Sequence, residues 1–167
     1  MCTRFDEILS AWKQEHYCAK VNVLTADMLR DPPPDISPTP ISRPRVEMLK
    51  KAFLGSGRIT MSMHACVVDD GMFESWQEGK QARVLQLFAA GPPFFEKPVC
   101  FLGSHERMAL EELHNEYPLD PDWIGITFTA FLCRDTPMNK KMLRSLCSQE
   151  ELVRDKMVLG RSAHHHE

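Results

Sequence analysis

The segment Val99–Leu113 constrains the fold of this 167-residue chain most, because an apolar run leads through one glycine into a polar, helix-like sequence. The run Val99–Leu102 has the uninterrupted apolar character of a buried strand, and we expect it to be an interior strand of a sheet. Gly103 allows a tight turn that a side chain would block. Ser104 is a typical helix N-cap, and Pro118 marks the helix end. The segment therefore predicts a strand, a turn and a helix in succession.

Apolar residues recur at helical spacing within the predicted helix, at Ala109, Leu110, Leu113 and Tyr117. A stripe of this kind packs one face of a helix against the core. We therefore expect Ala109 and Leu113 to be buried against the sheet.

The start of this helix is a candidate anion site. A helix N-terminus presents backbone N–H groups and the positive end of the helix dipole, and both suit a phosphate. The side chains of Ser104, His105 and Arg107 belong to the same turn. Glu106 would oppose a phosphate unless it faces outward or binds a magnesium ion that bridges to the phosphates.

The order of the other segments, short strands alternating with helices, predicts an α+β fold with a small mixed sheet and flanking helices. We divide the chain into an N-terminal helix over residues 1–18, a domain over 19–135, and C-terminal helices with a disordered tail over 136–167. Residues 31–40 contain five prolines, which predicts an extended, polyproline-like connector.

Local patterns place the remaining elements. Alternating apolar residues predict strands, and N-caps, first-turn prolines and glycine stops predict helices. Asp69-Asp70-Gly71 indicates a turn. The predicted strands are Ala19–Val23, Ile59–Val68 and Trp123–Cys133; the predicted helices are Phe5–Trp12, Ala26–Arg30, Pro44–Leu54 with Gly55 as its stop, one through Val84–Phe88, one from Thr136-Pro137 with Met138 in its apolar stripe, and a last one from Ser148.

These pieces resemble the ParB/sulfiredoxin-like fold. The matching order is KVNVLTADML, then ISRPRVEMLKKAF, then a strand, then FLGSHERMALEEL and WIGITFTAFLC, over about Ala19–Cys133. The segment G-S-H-E-R-M-A-L is similar to the G-N-H-x-x-x-A-L motif of the looser ParB-like proteins. Gly103, His105, Ala109 and Leu110 match that motif, with Ser104 in the asparagine position.

Two departures narrow what the resemblance implies. Sulfiredoxins use a cysteine in G-C-H-R, where this chain has Ser104, so sulfiredoxin chemistry is not expected. Chromosome-partition ParB proteins carry G-E-R-R, where this chain has Gly103-Ser104-His105-Glu106, so partition activity is not expected either.

The resemblance implies a phosphate or nucleotide pocket between the central loop and the arginine-bearing helix start. The residues alone support the same interpretation, because arginines pair with phosphate oxygens while the turn supplies backbone donors. The ligand would be a nucleoside triphosphate with magnesium. The candidate binding residues are Arg43, Arg45, Gly103, Ser104, His105 and Arg107.

Three functions remain open at this point. The first, which we favour, is a non-catalytic binding module that acts as a switch or a nucleic-acid-associated adaptor. The second is a phosphoryl-transfer or phosphodiester-cleaving enzyme that uses Glu106 or His105 as general base or metal-site residue. The third is a degenerate scaffold domain that binds protein partners.

Composition limits the class of protein. A formal net charge of −3 argues against a surface that binds nucleic acid everywhere. We expect an intracellular chain, cytoplasmic or nuclear, without a membrane span, because no apolar run reaches roughly 18–20 residues. Six isolated cysteines predict reduced thiols, and His164–His166 is expected to be a frayed tail rather than a metal site.

Overall fold

A computed structural model describes residues 4–37, 40–57, 63–90 and 96–148. It contains a four-stranded mixed sheet in the order β1-β4-β2-β3, made of β1 (Tyr17–Val23), β2 (Met63–Val68), β3 (Val99–Leu102) and β4 (Ile126–Cys133). The central pair β2 and β4 is parallel, while β1 pairs with β4 and β3 pairs with β2 in antiparallel fashion. The predicted α+β class is confirmed.

Helices cover both faces of the sheet. On one face, apolar side chains of α2, α4 and α5 pack with residues of all four strands; on the other, α1 and α6 pack against an aromatic cluster around Phe101 and Phe131. None of the described helices is long and apolar enough to cross a membrane. The helices are α1 (Arg4–His16), α2 (Arg43–Ser56), α3 (Asp70–Gln77), α4 (Gln81–Ala90), α5 (Ser104–Glu116) and α6 (residues 137–148), with short 3-10 turns at Ala26–Met28 and Pro121–Trp123.

The predicted strand, turn and helix around Gly103 are present. Ala109 and Leu113 are fully buried, as their spacing predicts. The expectation of an interior strand is wrong, because β3 lies at the end of the sheet. Its outer edge is covered instead by the backbone of Arg30, which accepts from Cys100 N–H at 2.8 Å and donates to Pro98 at 3.0 Å.

Several helix boundaries differ from the prediction. α2 continues through Gly55 to Ser56 and is capped by Gly57, whose φ of 78° suits glycine. Asp69-Asp70-Gly71 is not a hairpin turn but the start of α3, where the Asp69 carboxylate accepts from Met72 N–H at 2.8 Å. Turn-forming residues such as aspartate are also good N-caps, so the pattern alone did not distinguish the two.

The proline-rich connector is not uniformly extended. The N–H groups of Ile36 and Ser37 both donate to the Pro33 carbonyl at 2.9 Å, which closes a turn and buries Ile36. Tyr117 and Met138 are about half and three-quarters exposed, so neither belongs to its predicted apolar stripe. The predicted helix from Ser148 and the predicted tail lie outside the described residues beyond residue 148.

The α6 start agrees with the sequence prediction. Thr136 caps it, because its hydroxyl accepts from Asn139 N–H at 3.1 Å. The five cysteines among the described residues are free thiols, as predicted, and the Sγ atoms of Cys66 and Cys133 lie 3.5 Å apart in the core.

Candidate functional site

The turn between β3 and α5 is held in a conformation that requires glycine. Gly103 has a φ of 85° and is itself the N-cap of α5, so Ser104 is the first helical residue and not the cap. A Cβ atom at position 103 would lie 3.0 Å from Met63 Cγ. The close approach to β2 and the positive φ together explain why the chain has glycine here.

The start of α2 lies directly against the start of α5. The backbone N–H of Ser42, the N-cap of α2, donates to His105 Nε2 at 3.0 Å. His105 is only 5% exposed, and Nε2 accepts this hydrogen bond, so the ring carries no proton on that nitrogen. The contact brings two helix N-termini, about sixty residues apart in sequence, to one place.

Arg107 is buried and fully engaged within the protein. Its guanidinium contacts the Asp31 carboxylate at 3.0 Å, the Glu111 carboxylate at 2.6 Å and the Ala26 carbonyl at 3.2 Å. Burial by itself lowers the pKa of Arg107, but the charges of Asp31 and Glu111 outweigh burial and raise it above its usual value. The residue therefore clamps α5 to the first 3-10 turn and to the start of the connector.

Arg43 also pairs with carboxylates, on the outside of the helix pair. Its guanidinium donates to both carboxylate oxygens of Glu112 on α5 and to the carboxylate of Glu47 one turn along α2. Hydrogen bonds to Arg43 lower the pKa of Glu112 and raise that of Arg43. Lys50 adds ion pairs to Glu112 and Glu116. The network holds α2 against α5.

The other candidates take different positions. Glu106 is 2% exposed, although first-turn glutamates usually face solvent. Ser104 and Arg45 are half-buried at the starts of their helices. No group of three or more His, Cys, Asp or Glu side chains is placed to hold a metal ion within the described parts of the chain.

The structure thus places the start of α2 beside the Gly103–Arg107 turn, as the sequence predicts. Arg43 and Arg107 do not form a cluster of unpaired cations there, because both pair with carboxylates. Arg43 points to Glu112, seven residues beyond His105, or about 10 Å along the helix axis. The residues that sequence reasoning missed are the carboxylates Asp31, Glu111 and Glu112. Of these, only Glu111 could have been found from the sequence, because it lies four residues after Arg107 and side chains at that spacing are neighbours on a helix.

No family model, no curated protein and no solved structure matches this chain. The geometry of the α2–α5 junction is therefore the basis for any functional assignment.

Proposed function

We propose that this chain is a ParB/sulfiredoxin-like module that binds a nucleotide phosphate where α2 and α5 begin, and that it acts as a switch or adaptor without chemistry of its own. The observation that carries the proposal is the hydrogen bond from Ser42 N–H to His105 Nε2, which sets two helix N-termini side by side. Each N-terminus carries about half a positive charge, and a phosphate is the anion that such sites commonly bind.

The positive charge in this proposal comes from the helix starts rather than from Arg43 and Arg107. Both arginines are neutralised by carboxylates, at Glu47 and Glu112 and at Asp31 and Glu111. Arg45 is half-buried in the first turn of α2 and already has an interaction within the protein. A phosphate at this position would compete for Arg45, as a triphosphate would compete with Glu112 for Arg43.

The non-catalytic form is favoured by the state of His105. Its Nε2 lone pair is used in the bond to Ser42, so a general base at this atom would first have to give up that contact. Glu106 is buried, and a carboxylate acting on a substrate must be able to reach it. The Glu106→Gln variant separates the functions: a binding module keeps or gains affinity, because a negative charge beside the phosphate is removed, whereas an enzyme that uses Glu106 loses turnover.

The test is thermal unfolding with ATP, CTP or GTP, each with and without magnesium. A nucleotide at a hundred times its dissociation constant stabilises the fold by about 2.7 kcal/mol. We expect one nucleotide to raise the melting temperature. Arg45→Ala should weaken the binding of that nucleotide by about 1.5–3 kcal/mol, the usual value of a hydrogen bond to a charged group. Lys51→Ala, an exposed change in the second half of α2, is the matched control.

Two outcomes contradict the proposal. If no nucleotide changes the melting temperature, the scaffold function replaces it. If a nucleotide binds equally to the wild type, Arg43→Ala and Arg45→Ala, the phosphate does not lie at the start of α2.

A further inference from the structure

The face of the sheet that carries the aromatic cluster is covered by two helices, α1 and α6. A groove of about 330 Å³ lies between these helices, and its apolar lining consists of Ile8, Ala11, Met138 and Met142. α1 therefore does not pack closely against α6 along this length. Its contacts with β1 and β4 hold it in place.

Two side chains of α1 are buried in this contact, Trp12 and His16, which lie one helical turn apart. The centroid of the Trp12 ring lies 5.7 Å from that of Phe101 and 6.2 Å from that of Phe131. The His16 ring packs on Trp12 with a centroid distance of 4.2 Å. His16 is therefore part of the contact that keeps α1 on the sheet.

The surroundings of His16 suit a neutral ring. The residue is 7% exposed, and neither ring nitrogen makes a hydrogen bond within the described parts of the chain. Protonation would place a positive charge beside Trp12 and the aromatic cluster, and a charge that is removed from water in this way is costly. Burial therefore lowers the pKa of His16 below its ordinary value of 6.5.

The groups around His16 oppose this effect without cancelling it. On α1, the Glu15 carboxylate lies 3.5 Å from Nε2, but its side chain is largely exposed, and Lys13 is exposed as well. On β4, the Leu132 backbone also favours the protonated ring, and burial still outweighs both. The other titratable groups of β1, β2, β4 and α6 on this side carry no negative charge near neutral pH; they are Tyr17, Cys18, His64, Cys66, Cys133 and Cys147.

We propose that α1 is a proton-sensitive cover of the aromatic cluster, which stays on the sheet while His16 is neutral and opens more readily when His16 takes up a proton. An element that is held by few buried side chains can open locally while the rest of the fold stays intact. In the open state the ring is in water and binds a proton more readily than in the docked state. Docking is therefore most favourable above pH 6.5 and weakens as the pH falls below that value. The proposal does not rest on the nucleotide site, which is built from α2 and α5.

The test is amide hydrogen exchange of the full chain, measured by NMR at about one pH unit above and one below the ordinary histidine pKa. The opening constants of α1 amides are compared with those of α4, which packs on the other face of the sheet and contains no histidine. Uptake of one proton can raise the α1 constants by at most about tenfold over this interval. We expect a severalfold rise for α1 and little change for α4.

Two variants assign the response to one ring. His16→Phe removes the proton site but keeps an aromatic ring beside Trp12, so the α1 constants should no longer depend on pH. A poorer fit of the phenyl ring would change these constants equally at both pH values, which leaves the comparison valid. His114→Gln, a change on α5, is the matched control and should keep the wild-type response. The proposal is overturned if the α1 constants of the wild type rise no more than those of α4, or if His16→Phe keeps the full response.

Discussion

The two ends of the sheet use their charged residues in opposite ways. At the α5 end, Arg107 is buried and donates to Asp31, Glu111 and the Ala26 carbonyl, so its charge stabilises the fold. At the opposite end, where β2 and β4 finish, Asp35 and Lys97 are exposed. Their side chains make no hydrogen bond or ion pair within the described chain, although their backbone carbonyls accept from Arg144 and Arg30. A charged residue in a turn that resembles a binding motif can therefore be occupied by contacts within the protein, and the motif alone does not make it available to a ligand.

Replacing Arg107 should have the largest effect on stability. Arg107→Ala leaves the Asp31 and Glu111 carboxylates and the Ala26 carbonyl without their partner. We expect a loss of about 3 kcal/mol, at the lower end for a broken buried ion pair, because both carboxylates keep some contact with water. Urea unfolding measures the loss.

Two further variants sharpen this measurement. Arg107→Lys should lower the free energy of unfolding by an intermediate amount, since one ammonium cannot donate to several acceptors in the geometry of the guanidinium group. Lys80→Ala removes an exposed ion pair with Glu78 and should change little. If Arg107→Ala cost no more than Lys80→Ala, the described clamp would not stabilise the fold.

Gly103→Ala should have the next largest effect. Its φ of 85° costs an L-residue about 1–2 kcal/mol, and the added Cβ would also crowd Met63. Gly79 is the matched control, because its φ is 88° but nothing lies within 4 Å of its added Cβ. We expect Gly103→Ala to exceed Gly79→Ala by about 1 kcal/mol, a usual cost of overpacking, in chemical denaturation. Equal losses would show that Met63 moves aside freely.

The smallest expected effect is the acid dependence of the α2–α5 network. Arg43 lowers the pKa of Glu112 below its ordinary value of 4.5, so the unfolded chain takes up this proton at a higher pH than the folded chain. This contribution to stability is therefore complete above pH 4.5 and is lost as the pH falls through the lowered folded-state pKa. Glu112→Gln should flatten that part of the stability-pH curve. A variant curve parallel to the wild type would contradict the role of Glu112.

The sequence predicted the strand, turn and helix around Gly103 because periodicity and turn chemistry are local. Ala109 and Leu113 were placed correctly for that reason. The burial of His105, Glu106 and Arg107 could not be predicted, since polar and charged side chains are normally solvated. The contacts of His105 with Ser42 and of Arg107 with Asp31 also join distant segments. Asp31 lies 76 residues before Arg107, and only the folded chain brings the two together.

The position of β3 in the sheet was mispredicted for a related physical reason. An uninterrupted apolar run indicates burial on both faces, but it does not say whether both edges are paired with strands. Here Arg30 covers the outer edge with two backbone hydrogen bonds, so the last strand of the sheet is as apolar as a central one.

The proposed phosphate site lies where α2 and α5 begin. The most direct measurement is an amide chemical-shift map of the full chain with the nucleotide that gives the largest thermal stabilisation. A phosphate bound there should cause saturable shifts at the amides of Ser42, Ser104 and His105, with little change at Asp35 and Lys97 at the opposite end of the sheet. Shifts confined to the opposite end of the sheet, or no saturable shifts at the starts of α2 and α5, would contradict the proposed phosphate site.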